Sequence, residues 1–328
     1  MNNSANRKRI LFTSTFSTPF INNDKLFLSK YFELNSINEK GINFYIKLFR
    51  YIFKSDISFS WFLSTYSASV ILLMTLLKRK SVVILGGVDV AKEKSLSYGI
   101  WNNPFKSLYL KFALKRATYI FAVDESLKKE IINRTNYDFK NIYVISTSVD
   151  FNFWKPKGVK SEKILMVANV SEMNRLKLKG VDFFCEITKL LPEYKFVLIG
   201  IKNELHNYLP KLKNLTILEF VEHPELLKWY QSSKVYCQLS LREGLPNTLL
   251  EAMSCGCVPI GTKVGGIETL ISNNGYFVSI KDTSNIKSIF IKALTSPDSK
   301  SIEIRNFISD NYNPINREKL ILKYLNEI

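Results

Sequence analysis

Two glutamates and the short segment between them carry the clearest chemical signal in this chain of 328 residues. Glu243 and Glu251 would lie about 12 Å apart along the axis of one continuous helix, too far to share one small ligand group. Residues 244–246, Gly-Leu-Pro, change this, because glycine permits a tight turn and proline suits a first helical turn. The pattern predicts Glu243 on a loop and Glu251 one turn into a helix that Asn247 or Thr248 caps.

This arrangement directs two carboxylates and a row of backbone N–H groups toward the edge where open α/β sheets bind ligands. A helix N-terminus carries a partial positive charge and unpaired N–H donors, so it favours a diphosphate. Carboxylates suit the hydroxyl groups of a ribose and of a sugar, and the three groups together make a nucleotide-sugar. Glu243 is the predicted catalytic residue on this segment, and the predicted donor-binding residues are Gly244, Leu245, Pro246, Asn247, Thr248, Leu249 and Glu251.

Residues 237–260, followed by the Gly-Gly-Ile-Glu of residues 265–268, resemble glycosyltransferase family 4. The resemblance implies a GT-B fold, in which two Rossmann-like domains face each other across a cleft and the second binds the donor. It also implies transfer with retention and no essential metal, with Glu243 touching the donor sugar and Glu251 holding the nucleotide ribose. The alternative interpretation is two solvated glutamates beside an ordinary strand–helix turn.

The family places a basic pair for the donor diphosphate in a segment that corresponds to residues 168–182. Lys179, in a Lys-Gly step, matches the second member of the pair. Asn169 stands where an arginine is common, and Arg175 is the candidate to supply the missing charge from a longer loop. For Arg175 the alternative is a solvated loop charge.

The first half of the chain resembles the family only weakly. Residues 13–19 replace a glycine-rich loop, and residues 86–90 stand where the family often has a histidine, but both histidines, His206 and His223, lie in the second half. Asp89 is the candidate to take over a polar contact to the sugar, and its alternative role is to stabilise a turn. His223 is expected to mark the start of a helix.

Short apolar runs alternate with helical patterns through both halves, which predicts parallel sheets with crossover helices. The expected fold class is therefore α/β, with two doubly wound units in series. The predicted strands are 9–14, 57–62, 82–85, 119–123, 142–145, 164–168, 196–199, 216–220, 235–239 and 258–262. The predicted helices are 26–32, 44–53, 67–77, 107–116, 125–133, 181–190, 224–231 and 247–254.

The two units are expected to meet at residues 149–158, where periodicity lapses and proline and glycine accumulate. Residues 1–150 are then the acceptor-side domain, and residues 151–313 are the domain that binds the donor. The last predicted helix, within 314–328, is expected to pack back on the first domain.

The net charge of +17 calls for an acidic partner, and residues 1–150 hold 22 Lys and Arg against 11 Asp and Glu. Nucleic acid is disfavoured, because no RNP-like, zinc-finger or helix-turn-helix signature accompanies the charge. An anionic membrane surface fits better, since residues 44–54 are amphipathic and cationic; a core helix with a basic outer face is the alternative. The longest apolar run, 68–77, is shorter than the roughly 20 residues that span a bilayer, so a cytoplasmic, peripheral protein is expected.

The predicted activity is transfer of a sugar from a UDP- or GDP-sugar to a glycan or lipid-linked acceptor, in the synthesis of a bacterial-type surface polysaccharide or lipopolysaccharide. The nucleotide-sugar is a co-substrate in this prediction, and no other cofactor is expected. The four cysteines form no CxxC pair and have no histidine at metal-ligand spacing, so no metal site is expected. The alternatives are a non-catalytic subunit that binds nucleotide-sugar and a relative such as a sugar-nucleotide epimerase.

Overall fold

A computed structural model describes residues 7–280 and 284–328 of the chain. The chain divides into two compact units, the first formed by Met1–Ser146 with Glu318–Ile328 and the second by Thr147–Arg317. Each unit is built on an open sheet of six parallel strands with helices between successive strands. Such sheets are buried on both faces, which explains why most of the predicted strands are continuous apolar runs rather than alternating ones.

The sheet of the first unit has the strand order β2-β1-β3-β4-β5-β6. The chain moves in one direction across this sheet from β2 to β5, and right-handed crossovers therefore place α2, α3 and α4 on the same face. Helix α3 packs between α2 and α4. The elements are β1 Arg9–Thr13, α1 Pro19–Tyr31, β2 Glu33–Ile37, α2 Ile42–Ile52, β3 Ile57–Trp61, α3 Thr65–Leu76, β4 Lys80–Leu85, α4 Pro104–Leu114, β5 Tyr119–Ala122, α5 Glu125–Thr135 and β6 Ile142–Val144.

The sheet of the second unit has the order β12-β11-β10-β7-β8-β9, so its direction of winding reverses between β7 and β10. Open α/β sheets bind ligands at such a reversal, outside the carboxyl ends of the strands. The strands are β7 Ser161–Val170, β8 Lys195–Ile201, β9 Leu215–Leu218, β10 Ser233–Gln238, β11 Val258–Gly261 and β12 Tyr276–Phe277. The helices are α6 Met173–Lys179, α7 Val181–Leu190, α8 Asn203–His206, α9 Leu226–Ser232, α10 Asn247–Ser254, α11 Gly265–Ile271, α12 Ile286–Leu294 and α13 Asp298–Asn311. Helix α14, Pro314–Asn326, follows, and its residues from Glu318 onward belong to the first unit.

All ten predicted strands are confirmed, with ends that differ by up to three residues. Strands β2 and β12 were not predicted, and both lie at sheet edges, where fewer side chains are buried and the apolar signal is weak. The predicted loop around Arg175 is wrong, since that residue lies in helix α6. A helix of seven residues is too short for its periodicity to stand out in the sequence.

Candidate functional site

Lys179 and Glu243 meet at the point where the second sheet reverses its winding. The Nζ of Lys179 donates a hydrogen bond to the Oε1 of Glu243 at 2.5 Å, and the two side chains are 19% and 14% exposed. The Oγ of Ser240 and the Nε2 of Gln238 donate to the same oxygen at 2.8 Å and 3.3 Å. Three converging donors hold the carboxylate of Glu243 in one orientation.

Gly180 explains why these two side chains are close. It ends α6 with φ +73°, and a Cβ atom there would lie 2.1 Å from the carbonyl oxygen of Leu239. The N–H of Leu241 donates to the carbonyl of Leu178 at 2.8 Å, which joins the end of α6 to the loop after β10. Only glycine allows this approach, so the Lys-Gly step places the ammonium group of Lys179 beside the second loop.

Arg175 lies one helical turn before Lys179 on α6, so both side chains project from the same face of that helix. Within the described residues, the Nε of Arg175 is buried and has no hydrogen-bond partner. A buried N–H donor without an acceptor is costly, and an anion bound beside it would relieve that cost. The structure therefore brings the two predicted cations of the site together on one short helix.

Helix α10 starts at Asn247, as predicted, but its cap is not the expected one. Pro246 is the N-cap residue, and its carbonyl accepts hydrogen bonds from the N–H groups of Leu249 and Leu250 at 3.1 Å and 3.2 Å. The prediction that Asn247 or Thr248 caps the helix is wrong, because both residues lie inside its first turn. The N–H groups of Asn247 and Thr248 precede the first hydrogen bonds of the helix and are suited to a ligand.

The turn at residues 243–245 is packed against the start of α11. A Cβ atom at Gly265 would lie 2.1 Å from the carbonyl oxygen of Glu243, and one at Gly266 would lie 2.2 Å from that of Gly244. The N–H of Gly266 donates to the carbonyl of Gly244 at 2.7 Å. The side chain of Leu245 is buried, as is that of Leu249, so these two predicted residues contribute packing and backbone groups.

Glu251 is buried and bound to two side chains from a neighbouring segment. The Nε2–H of His223 donates to its Oε1 at 2.7 Å, and the hydroxyl of Tyr230 donates to its Oε2 at 3.2 Å. Burial raises the pKa of Glu251, whereas the hydrogen bond to Glu251 raises the pKa of His223. The ring of Trp154 packs edge-on against His223, with ring centres 5.0 Å apart.

His223 starts a short 3₁₀ helix, as expected, but its contact with Glu251 was not predicted. The two residues are 28 positions apart, and no local pattern joins them. The fold topology could have predicted that these residues lie close together, because the loop after β9 and the start of α10 both lie at the carboxyl edge of one parallel sheet.

Asp89 belongs to the first unit and is fully enclosed in the loop that follows β4. Its carboxylate accepts hydrogen bonds from the backbone N–H groups of Leu63 at 3.0 Å, Gly86 at 3.0 Å and Gly87 at 2.6 Å. Burial raises the pKa of Asp89 to about 6, although these amides oppose the shift. The contacts favour the turn-stabilising alternative that the sequence left open.

Two hollows flank the reversal point at the carboxyl edge of the second sheet. One has a volume of about 420 Å³ and lies at the ends of β10, β11 and β12, beside Ser240 and Lys263. The other, about 340 Å³, lies at the ends of β7, β8 and β9, beside Asn169 and Phe220. No cluster of His, Cys, Asp and Glu suited to a metal ion occurs within residues 7–280 and 284–328.

Known proteins with similar sequences identify the segment that holds these residues. Residues 162–296 match the family model described as glycosyl transferases group 1. This segment is similar to the group 1 glycosyl transferases. It contains Lys179, His223, Glu243 and Glu251, and the predicted resemblance to glycosyltransferases is confirmed for it.

Two curated relatives are similar over more of the chain than residues 162–296. The N-acetyl-alpha-D-glucosaminyl L-malate synthase of Bacillus anthracis is 26% identical over 263 residues, which cover 75% of this chain and 66% of the relative. The UDP-Gal:alpha-D-GlcNAc-diphosphoundecaprenol alpha-1,3-galactosyltransferase of Escherichia coli is 30% identical over 236 residues, which cover 63% and 59%. The chain thus spans less than two thirds of the length of each.

Solved structures confirm the GT-B fold. Anabaena Alr3699/HepE in complex with UDP-glucose superposes with a TM-score of 0.76 at 13% identity, over 98% of this chain and all of that chain. The sucrose-phosphate synthase of Thermosynechococcus elongatus superposes with a TM-score of 0.77 at 12% identity, over 98% and 99%. These likenesses confirm the predicted fold of two doubly wound sheets, one in each unit.

Proposed function

We propose that the chain transfers a sugar from a UDP- or GDP-sugar to a glycan or lipid-linked acceptor, with retention at the anomeric carbon. The observation that carries the proposal is the meeting of Lys179, Glu243 and the first turn of α10 at the reversal point of the second sheet. A cation, a carboxylate and free backbone N–H groups at this edge suit a diphosphate joined to a sugar. The family match covers the same residues.

Each part of the donor has a partner in this proposal. Lys179 and Arg175 bind the diphosphate, with the N–H groups of Asn247 and Thr248 on its other side. Glu243 accepts hydrogen bonds from the sugar hydroxyls, and Glu251 accepts them from the ribose. The relatives support the donor class, because the name of the E. coli relative specifies UDP-Gal and the Anabaena structure holds UDP-glucose.

The chemical step in this proposal relies on stabilising the leaving group. Negative charge grows on the diphosphate as its bond to the anomeric carbon breaks, and Lys179 and Arg175 stabilise that charge where it develops. The acceptor hydroxyl attacks on the side from which the diphosphate leaves, and the phosphate takes its proton. No protein nucleophile, metal or other cofactor takes part, and Asp89 is assigned at most a polar contact in the first unit.

Nucleoside diphosphate binding tests the proposal directly. A ligand of the folded state raises the melting temperature, so UDP or GDP is expected to stabilise the protein while AMP does not. Lys179→Met is expected to weaken diphosphate binding about 10- to 100-fold, because it removes a charge-assisted hydrogen bond. Glu243→Gln is expected to keep most of the UDP or GDP affinity and to lose transfer from the matching sugar nucleotide.

Glu130→Ala is the matched control for these variants. Its ion pair with Arg134 lies in the first unit and is similarly enclosed, with side chains 22% and 17% exposed. This variant is expected to bind the nucleotide like the wild type. Release of nucleoside diphosphate that needs no acceptor would support an epimerase-like or hydrolytic reaction instead, and binding without release would support a non-catalytic subunit.

The first unit also supports a role at an anionic membrane surface. Helix α2 buries Phe44, Leu48 and Ile52, so it is a core helix, but its outer face is also apolar. Large apolar side chains on α2 and α4, or directly after α2, are between 50% and 84% exposed: Ile42, Ile46, Phe49, Phe53, Phe105, Leu108 and Phe112. None of the helices in the described part of the chain is long and apolar enough to cross a membrane.

The helices of this face carry only positively charged side chains, although Lys47 is paired with Glu39 from the loop before α2. Helices α2, α3 and α4 contain no Asp or Glu, and Lys47, Arg50, Lys106 and Lys111 lie among the exposed apolar side chains. Apolar side chains mixed with cations suit the interface of a bilayer that contains anionic lipid. The proposal therefore places the enzyme on the inner face of the cell membrane, where a lipid-linked acceptor for surface polysaccharide or lipopolysaccharide would lie.

Liposome sedimentation tests the membrane contact. The wild type is expected to sediment with vesicles containing phosphatidylglycerol and not with pure phosphatidylcholine vesicles. Ile46→Glu and Phe49→Glu are expected to abolish sedimentation, because each places a negative charge on the exposed face. Ile302→Glu, at a similarly exposed position of α13 in the second unit, is the control and should sediment normally. Sedimentation of both α2 variants at the wild-type level would refute the contact.

A further inference from the structure

The environment of Glu251 contains a histidine that the donor site described above does not use. His223 reaches Glu251 from the loop after β9, and its Nε2 lies 2.7 Å from Oε1. The side chain of His223 is 34% exposed, whereas that of Glu251 is 7% exposed. The imidazole is therefore more exposed to solvent than the carboxylate it binds.

The surroundings hold the imidazole in place. The ring of Trp154 packs edge-on against it, and Trp154 is itself anchored, because its carbonyl accepts hydrogen bonds from the Oγ of Ser254 at 2.6 Å and from Arg305 at 3.1 Å. The rings of Trp154 and Tyr230 also pack edge-on, with centres 5.5 Å apart. Glu251 thus lies between two fixed donors, His223 on one oxygen and Tyr230 on the other.

The remaining hydrogen-bonding capacity of Glu251 suits a diol. An ionised carboxylate offers about four lone-pair sites, and His223 and Tyr230 occupy one on each oxygen. One site on each oxygen is left, and these two sites match a pair of neighbouring hydroxyls such as those of a ribose.

We infer that His223 is a positioning residue for the nucleotide ribose, which orients the carboxylate of Glu251 so that it discriminates a 2′-hydroxyl from its absence. The inference rests on the proposed function, because it requires a nucleotide in the second unit. His223 acts through Glu251 and has no part in the transfer step.

The charged and titratable groups that face Glu251 come from four places. They are His223 before α9, Tyr230 on α9, Tyr236 on β10 and Cys255 directly after α10. Burial raises the pKa of both tyrosines and of Cys255 above their usual values, so these groups stay neutral at ordinary pH. Only His223 and Glu251 are left to respond to pH in this cluster.

The pair of His223 and Glu251 sets the direction in which pH affects discrimination of the ribose. Burial raises the pKa of Glu251, and the hydrogen bond and charge of His223 lower it. Removing the imidazole therefore allows Glu251 to take up a proton at a higher pH. A protonated carboxyl group is a weaker acceptor. As the pH falls, discrimination of the ribose hydroxyl should therefore be lost at a higher pH than in the wild type.

The test compares affinities for UDP and 2′-deoxy-UDP by calorimetry from pH 5 to pH 8; the guanosine pair is used if the wild type prefers GDP. The wild type is expected to bind UDP about 10- to 100-fold more tightly than the deoxy form, as for loss of a hydrogen bond to a charged acceptor. His223→Ala is expected to bring this ratio close to one across the range, because it removes the donor that orients Glu251 as well as the charge. His223→Gln keeps a donor without a charge, so it should retain the ratio at pH 8 and lose it at a higher pH than the wild type.

A merely structural histidine would give a different result. Equal weakening of UDP and 2′-deoxy-UDP in His223→Ala, with the ratio unchanged, would overturn the inference and leave the proposed function standing. A wild-type ratio near one would also overturn it. Failure of the wild type to bind any nucleoside diphosphate would instead refute the proposed function itself.

Discussion

Gly180 is the residue on which the geometry of the proposed donor site depends most directly. Replacing it with alanine has two effects, the strain of a left-handed backbone and a steric clash. Gly180 and Gly158 lie in the same unit and have nearly the same φ, +73° and +71°. A Cβ atom at Gly180 would lie 2.1 Å from the carbonyl oxygen of Leu239, whereas one at Gly158 has nothing within 4 Å. The pair of variants therefore shares the strain of a left-handed residue but not the steric clash.

The expected costs differ accordingly. Placing alanine in the left-handed region costs about 1 kcal/mol, which is the whole expected effect at Gly158. Relieving the clash at Gly180 adds about 1–3 kcal/mol, as for other cases of overpacking. At about 2–4 °C per kcal/mol for a unit of this size, Gly158→Ala should lower the melting temperature by about 2–4 °C and Gly180→Ala by roughly 4–16 °C.

Nucleotide binding makes the comparison specific to the site. The end of α6 must move away from Leu239 to admit a methyl group, and Lys179 moves with it. Gly180→Ala is expected to bind UDP or GDP at least about 10-fold more weakly, whereas Gly158→Ala should match the wild type. The assay is titration of the melting transition that the nucleotide shifts. Equal losses of stability and affinity in the two variants would refute the reasoning.

Three further predictions concern single contacts. Burial raises the pKa of Asp89 to about 6, so between pH 4 and pH 6 the folded protein holds a proton that the unfolded chain releases. As the pH rises through this range, the free energy of unfolding of the wild type, measured with urea, should fall relative to that of Asp89→Asn. Arg79→Ala should lower the free energy of unfolding by about 1–3 kcal/mol, because the guanidinium binds three carbonyl groups at the end of α2, while Lys78→Ala should have little effect. Gly266→Ala should destabilise the second unit and weaken nucleotide binding, since its Cβ would lie 2.2 Å from the carbonyl of Gly244.

Each of these has an outcome that would contradict it. A stability difference between wild type and Asp89→Asn that does not change between pH 4 and pH 6 would mean that Asp89 is ionised in the folded protein throughout that range. Equal unfolding free energies for Arg79→Ala and Lys78→Ala would remove the role of Arg79 at the end of α2. A Gly266→Ala variant with wild-type nucleotide affinity would show that the turn at residues 243–245 does not depend on α11.

Local patterns predicted the parts of the fold that are buried on both faces. Strands such as β4 and β8 contain continuous apolar runs, and α10 begins at the predicted residue because a Gly-Leu-Pro turn precedes it. Strand β2 was missed, since its residues Glu33–Ile37 form an edge where little is buried. Helix α6 was missed because its seven residues make only two turns.

The sequence by itself determined which residues could form a donor site, because the Lys-Gly step and the Glu243–Glu251 spacing are local patterns with a physical meaning. Only the tertiary structure decided their partners. Lys179 meets Glu243 across 64 residues, and His223 meets Glu251 across 28. Such contacts depend on which loops a parallel sheet brings to one edge, and the order of its strands is set by packing over the whole unit rather than by any short segment.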